Sequence, residues 1–277
     1  MRGSFVGLAT LDVIHYVSEF PRPDEKITAD DRWIGAGGPA ANAAIAFAAL
    51  GGRAELITAL GRSTSAQMAR ADLEANGVAV QDVSGGEGEL AISSIVVDGR
   101  GRRTVVSVNA AGFAAPMDPA RLSDDADVVL ADGHHAAVAL SVLDQARERG
   151  VPTVLDAGSA KPRTDELLSR IEYAIASSAF GRGRAAGEVA RELFRAPTRF
   201  AAVSAGAGPV VGIAESGPFT IEVPAVRAVD TLGAGDVLHG AFAYHLCTSE
   251  PLEALERAVA LASESCGRRG PRLRASA

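Results

Sequence analysis

Short apolar runs alternate with stretches of helical spacing along most of the chain. Residues 4–9, 54–60, 128–131, 153–156, 173–176 and 200–204 are short, largely apolar runs, as strands buried on both faces are. Residues 40–50, 66–76, 136–149 and 184–195 repeat their apolar positions at three and four residues, and Gly150 closes the third as a C-terminal helix glycine does. Residues 237–246 and 251–265 read as two further helices. The alternation predicts an α/β sandwich around a mostly parallel sheet. Two segments depart from it. Residues 13–34 and 91–108 alternate like strands with no helix between, and Asp98-Gly99 offers a hairpin turn to the second. They predict either surface hairpins or a small second sheet inserted twice into one body. In the second case the body is 1–12, 35–88 and 109–277, and the insert, a β lid, is 13–34 and 89–108.

The chain has 277 residues and a net charge of -7. That balance, with no basic stripe interleaved with aromatics, argues against a nucleic-acid partner. The Arg-rich end, 268–274, reads as a solvated tail or an anion-side loop. Lys26 and Lys161 are the only lysines, so a phosphate must be met by arginine, metal or backbone dipoles. Cys247 and Cys266 are too few for a disulfide framework or metal cluster and read as buried free thiols. The small-residue run 39–50 is too short to cross a membrane and no secretory leader is visible, so no membrane partner and a cytoplasmic location are expected.

Candidate chemistry gathers at two glycine-rich turns. In Asp230-Thr231-Leu232-Gly233-Ala234-Gly235-Asp236, the amides of Gly233, Ala234 and Gly235 can converge on phosphate oxygens at a helix N-terminus. Asp236 beside them can take the proton of an attacking hydroxyl, or can simply complement the helix dipole. Asp12, after the first strand, can accept two hydroxyls at once or serve as a turn aspartate. In Gly37-Gly38-Pro39-Ala40-Ala41-Asn42, the glycines admit a ligand to the backbone. Asn42 lies on an apolar helix, where an unpaired buried amide costs about 1–3 kcal/mol.

These two blocks, Asp-Thr-x-Gly-Ala-Gly-Asp and Gly-Gly-x-x-x-Asn-x-Ala, resemble the two signatures of the ribokinase-like sugar kinases, the PfkB carbohydrate kinase family. The resemblance implies a ribokinase-like three-layer α/β sandwich with a small β-sheet lid. The lid covers the sugar and in some members pairs two subunits, so a homodimer through the lid is expected. It also implies ATP and Mg2+ as cofactors, and a γ-phosphoryl transfer to a hydroxymethyl group of a small sugar. On this pattern Asp236 is the base and Gly233, Ala234 and Gly235 hold the phosphate. Asp12, Gly37, Gly38 and Asn42 bind the acceptor. Ser204 and Gly206, in a Ser-x-Gly loop, and Thr231 contact the nucleotide, and Asp230 acts on magnesium indirectly.

Several positions modify that picture. Pro39 stands where ribokinase typically has lysine, and the blocks 12–16 and 128–132 look closer to the fructose-type and sulfofructose-type kinases. A ketose or related derivative is the expected acceptor. Gly133-His134-His135 stands where a sulfosugar kinase has arginine; His134 can bond a sugar hydroxyl or a 1-substituent, or the pair is a solvated helix entrance. Arg103, in the second lid segment, can close over the transferring phosphate or remain a solvated loop charge. The family's Asn-x-x-Glu is missing at 176–181, where Ser177 can replace the asparagine and nothing replaces the acid. Two alternatives remain open. A nucleoside kinase of the same fold would use Trp33 or Phe113 as a base shelf, and a sugar or nucleotide sensor would keep the fold without turnover.

Overall fold

The computed structural model describes residues 1–113, 117–195 and 197–273, so Arg274 lies outside the described residues. In chain order the strands are β1 (Arg2–Val6), β2 (Thr10–Tyr16), β3 (Asp31–Gly37), β4 (Arg53–Thr58), β5 (Val78–Asp82), β6 (Ile92–Val97), β7 (Arg103–Val106), β8 (Val128–Ala131), β9 (Thr153–Ala157), β10 (Tyr173–Ser177), β11 (Phe200–Ala205), β12 (Gly208–Ala214) and β13 (Gly217–Ile221). The helices are α1 (Pro39–Ala49), α2 (Thr64–Ala75), α3 (Ala136–Glu148), α4 (Thr164–Leu168), α5 (Ala186–Leu193), α6 (Ala234–Leu246) and α7 (Pro251–Ser265).

Nine strands form one sheet in the order β13-β12-β11-β10-β9-β8-β1-β4-β5. It is parallel from β5 to β11 and antiparallel at β12 and β13. One face packs on α1, α2, α6 and α7, the other on α3, α4 and α5. This is the three-layer sandwich that the pattern predicts, and the central strands are fully buried because helices cover both faces.

Helix α1 is Ala-rich and buried over most of its length, which lets it lie close against α6. A Cβ at Gly240 of α6 would collide with the Ala43 carbonyl of α1. Such close packing needs glycine there, and it aligns the N-terminal turns of the two helices.

A second sheet runs β3-β2-β6-β7, with β2 and β6 parallel and the outer pairs antiparallel. Its strands extend beyond 13–34 at both ends, to Thr10 and to Gly37. Ile14, Tyr16, Ile95 and Val97 form its own small core, on which Trp33 and Leu232 pack. The Asp98-Gly99 turn is wider than a two-residue hairpin, because β6 stops at Val97 and β7 starts at Arg103. Asp98 causes this: its Oδ1 accepts the Arg100 and Arg102 amides at 3.0 and 2.9 Å, and its other oxygen takes the Arg102 guanidinium. The arginine-rich end is no solvated tail over its described part. Arg269 stacks on Tyr16 at 5.2 Å, and Arg272 stacks on Trp33 at 4.8 Å while it ion-pairs with Asp72. No helix among the described residues is long and apolar enough to cross a membrane.

Candidate active site

Asp12 lies within β2 of the second sheet, not at the end of β1, because the first strand stops at Val6. Its carboxyl is buried, accepts from Thr10 Oγ1 at 2.6 Å, and would be struck by any side chain at Gly37. Burial pushes its pKa up, opposed by hydrogen bonds from Thr10 and Ser93 and by the charge of Arg272.

Gly38 caps α1 with φ of 97°, and a side chain there would collide with the Leu8 carbonyl. Below it sits Asp132, buried after β8. Its Oδ2 accepts the amides of Leu8 and Ala40 at 2.8 and 3.1 Å, and its Oδ1 accepts the His134 amide at 2.8 Å. One carboxylate thus ties the β1–β2 turn, the α1 N-terminus and the loop after β8 into a single floor.

Asn42 projects from α1 and donates from Nδ2 to Asp236 Oδ2 at 2.8 Å, while its buried Oδ1 has no partner among the described residues. The two glycine-rich blocks, far apart in sequence, therefore meet. Helix α6 begins three residues earlier than its apolar run suggests, at Ala234 instead of Val237. The glycines before Asp236 join the first turn because the chain there is helical, with Gly233 as cap at φ of 75°. A side chain at Gly233 would strike the Pro271 carbonyl, whereas a Cβ at Gly235 meets nothing within 4 Å. The Gly235 and Asp236 amides donate to no acceptor among the described residues. This is an open anion site of the kind a helix N-terminus offers.

Asp236 is half-buried, with its carboxyl set beneath the surface. Burial, then the nearby charge of Asp156, drive its carboxyl well above the ordinary range; Asp12 and Asp132 add to this and the Asn42 hydrogen bond opposes it. A carboxyl raised in this way takes up a proton more readily than an ordinary carboxylate.

Asp230 is buried and its oxygens are used by the protein. Oδ1 accepts the Leu232 amide at 2.9 Å; Oδ2 accepts the Gly270 amide and the Tyr16 hydroxyl, both at 3.0 Å. It acts as a clasp that joins the second sheet, the glycine turn and the loop after α7. Arg103 makes a second link, from Nη1 to Thr231 Oγ1 at 2.9 Å. The described residues hold no group of three or more His, Cys, Asp or Glu side chains suited to a metal.

Ser177 and Ser204 are register partners at the ends of β10 and β11, followed by Gly206 with φ of 61° and open space above it. Ser177 Oγ donates to the Gly158 carbonyl at 2.7 Å. His134 lies beside Asp132 and Lys161, and burial lowers its pKa. His135 takes a left-handed conformation as the α3 cap and meets Phe113 edge to face at 6.2 Å.

Three residues were not singled out by the sequence. Asp156 ends a predicted strand and looks like one more strand terminus. Lys161 is one of only two lysines, and Gly133 lies against its side chain. His239 lies inside an apolar helical run, where a histidine usually signals nothing beyond a satisfied core residue. The rarity of lysine was the one available signal.

Residues 4–276 match the pfkB family carbohydrate kinase pattern. The ribokinase of Mus musculus is 26% identical over 259 residues, covering 87% of this chain and 80% of that protein. The ATP-dependent ribose-1-phosphate kinase of Halopiger xanaduensis is 29% identical over 273 residues, covering 96% and 92%. A crystal structure from Agrobacterium tumefaciens, described as a candidate ribokinase, superposes with a TM-score of 0.89 at 27% identity over 99% of this chain and 94% of that one. The fold and the two joined glycine turns are those of an ATP-dependent phosphotransferase. The chain belongs to the pfkB family of carbohydrate kinases and is a sugar or nucleoside kinase of the ribokinase type.

Proposed function

We propose that the chain transfers the γ-phosphoryl group of MgATP to a hydroxymethyl group of a small sugar, a ketose or a related derivative. The observation that carries this reading is the contact of Asn42 with Asp236 at 2.8 Å, directly beside the unfilled amides of Gly235 and Asp236. Asp12, the Gly37–Gly38 backbone and Asn42 hold the acceptor so that its hydroxyl faces Asp236. Asp236 accepts the hydroxyl proton as the oxygen forms its bond to the γ-phosphorus. The bond from that phosphorus to the β–γ bridging oxygen breaks, and ADP leaves with the electron pair. The Gly233–Gly235 turn would hold the phosphoryl oxygens, and a magnesium ion carried by the nucleotide would supply further positive charge to them. Ser204, Gly206, Ser177 and Thr231 contact the nucleotide, and Asp230 keeps the glycine turn in place.

The second sheet acts as the lid, carrying Asp12 on its inner face and Arg103 at the phosphate side. Its outer face carries Ile34, Ile92 and Val106, the last 68% exposed, and this face pairs two copies of the chain. Light scattering that finds only monomer at working concentration removes that pairing.

The test is magnesium-dependent ADP release over ketoses, aldoses, ribose, ribose 1-phosphate and nucleosides. The expected result is one strongly preferred ketose-type acceptor. Asp236→Asn is expected to bind that acceptor and lose about 10²–10⁴ in kcat. Near wild-type turnover in that variant removes Asp236 as the base; preference for a nucleoside or an aldose removes the ketose.

A further inference from the structure

The base of this site sits among carboxylates. Asp156, Asp12 and Asp132 all raise the proton affinity of Asp236, yet an ionised Asp236 is what the reaction consumes. A cation within the same buried cluster would resolve this conflict, and His239 occupies the place for one. Its ring is 3% exposed and lies one helical turn beyond Gly235 on α6. Nδ1 is 2.7 Å from the Gly235 carbonyl oxygen, and Nε2 is 3.1 Å from the Ile175 carbonyl oxygen on β10. Nδ1 also lies 3.4 Å from Oδ2 of Asp156, which is 5% exposed.

Carbonyl oxygens only accept hydrogen bonds. Either neutral tautomer of His239 would press a nitrogen lone pair against one of these two oxygens. Both contacts are satisfied only when both ring nitrogens carry hydrogen, and the resulting positive charge is then balanced by Asp156. We propose that His239 is a buried imidazolium, paired with Asp156, and serves as a positioning residue: it fixes the Gly235 carbonyl under the phosphate turn and holds Asp236 in an ionisable state.

The surroundings support this assignment. Besides Asp156 on β9, the charged groups of the cluster are Asp236 on the same helix, Asp132 after β8, Asp12 on β2 and Lys161 after β9. Lys161 is the other cation close to Asp156, and it is partly exposed where His239 is not. From α1 the cluster receives the neutral Asn42, from β10 the Ile175 backbone, and α7 buries only small or apolar side chains and Ser263. Burial raises the Asp156 pKa, and His239 is the leading influence lowering it. Without His239 the cluster would hold its acids with one partly solvated lysine.

The proposal rests on Asp236 as the base, and its test separates the two. In uniformly labelled wild-type protein, the nitrogen shifts and ring couplings of His239 report its protonation directly, whatever the enzyme's substrate. Two protonated ring nitrogens between pH 6 and 8 are expected; a neutral ring overturns the proposal. His239→Asn keeps one donor for Gly235 and loses the charge. Its kcat is expected to fall by less than the about 10²–10⁴ lost with the base itself. The acidic limb of its kcat–pH profile should move to higher pH, with activity recovering as pH rises and with little change in KM for sugar or ATP. An equal loss at every pH, with the limb in place, leaves His239 a purely structural residue and overturns the proposal. Should Asp236→Asn retain turnover, the functional reading fails while the ring measurement still stands.

Discussion

Helices α1 and α6 begin alike and are completed differently. Each starts at a glycine with positive φ, Gly38 at 97° and Gly233 at 75°, and each glycine is packed against another segment's carbonyl. At α1 the partial positive charge of the helix end is met from inside the protein. Pro39 brings no amide hydrogen, Ala40 donates to Asp132, and that carboxylate is 1% exposed. At α6 Asp236 lies in the first turn, but no carboxylate among the described residues accepts the free amides. The Gly235 and Asp236 amides find no acceptor among the described residues, and the space above Gly235 is empty. On the proposed function, the same local device serves structure at one helix and binding at the other. On that proposal, what distinguishes them is where the matching anion comes from: Asp132 for α1, an incoming phosphate for α6.

The sharpest way to break this comparison is to fill both entrances. Gly235 has an ordinary helical backbone and open space, so Gly235→Val is expected to keep its thermal midpoint. Its side chain would occupy the phosphate position, and kcat/KM for ATP should fall about 10²–10³-fold, as when a transition-state donor is lost. Gly38→Ala is the counterpart: its Cβ meets the Leu8 carbonyl at a φ that costs of order 1–3 kcal/mol for other residues, so stability is expected to fall first. Paired melting curves and ATP kinetics decide the matter. If Gly235→Val melts as early as Gly38→Ala, the α6 entrance is as structural as that of α1.

The next largest effect is expected at Asp132. In Asp132→Asn an amide group replaces one oxygen, so either the paired Leu8 and Ala40 amides or the His134 amide would face a donor. An unsatisfied buried group costs about 1–3 kcal/mol, to be read as a lower denaturant midpoint with an unchanged slope. A neutral result would mean that the α1 end needs no internal anion.

These variants also show what a linear reading could and could not reach. The strands 128–131, 153–156, 173–176 and 200–204 were legible because both their faces are buried, leaving uninterrupted apolar runs. Strands β12 and β13 were not, since glycine, proline and half-exposed positions break their pattern. Helix α4 spans only Thr164–Leu168, too short to display a period. In the site, Asp236, Asn42 and the glycines stand in compact local patterns, and local patterns can be read. The Asp156–His239 pair joins β9 to α6 across more than eighty residues, and Asp132 is bound to amides from two other segments. Pairings of that kind depend on tertiary approach, above all on the tight contact of α1 with α6 at Gly240, and leave no local trace. Arg272 is similar: nothing near the C-terminal end announces that it will return to Asp72 and Trp33.

The smallest effect expected concerns how the open entrance is covered. Two hydrogen bonds among the described residues join the second sheet to the glycine turn, and they differ in burial. Tyr16 to Asp230 is buried, whereas Arg103 to Thr231 is exposed. An exposed polar contact of this kind contributes little to stability, so Arg103→Ala should move the thermal midpoint by an amount corresponding to no more than about 0.5 kcal/mol. Its guanidinium nevertheless hangs from β7 directly beside the turn proposed to receive phosphate. When nucleotide arrives, the bond to Thr231 can be exchanged for one to a phosphate oxygen, so the variant should raise KM for ATP several-fold with a smaller change in kcat. The wild-type dependence of KM on salt should also weaken in the variant, because a screened charge has been removed. Unchanged KM and an unchanged salt response would confine Arg103 to the hydrogen bond with Thr231. The α6 entrance would then be covered without a mobile cation, and its anion would be held by backbone and metal alone.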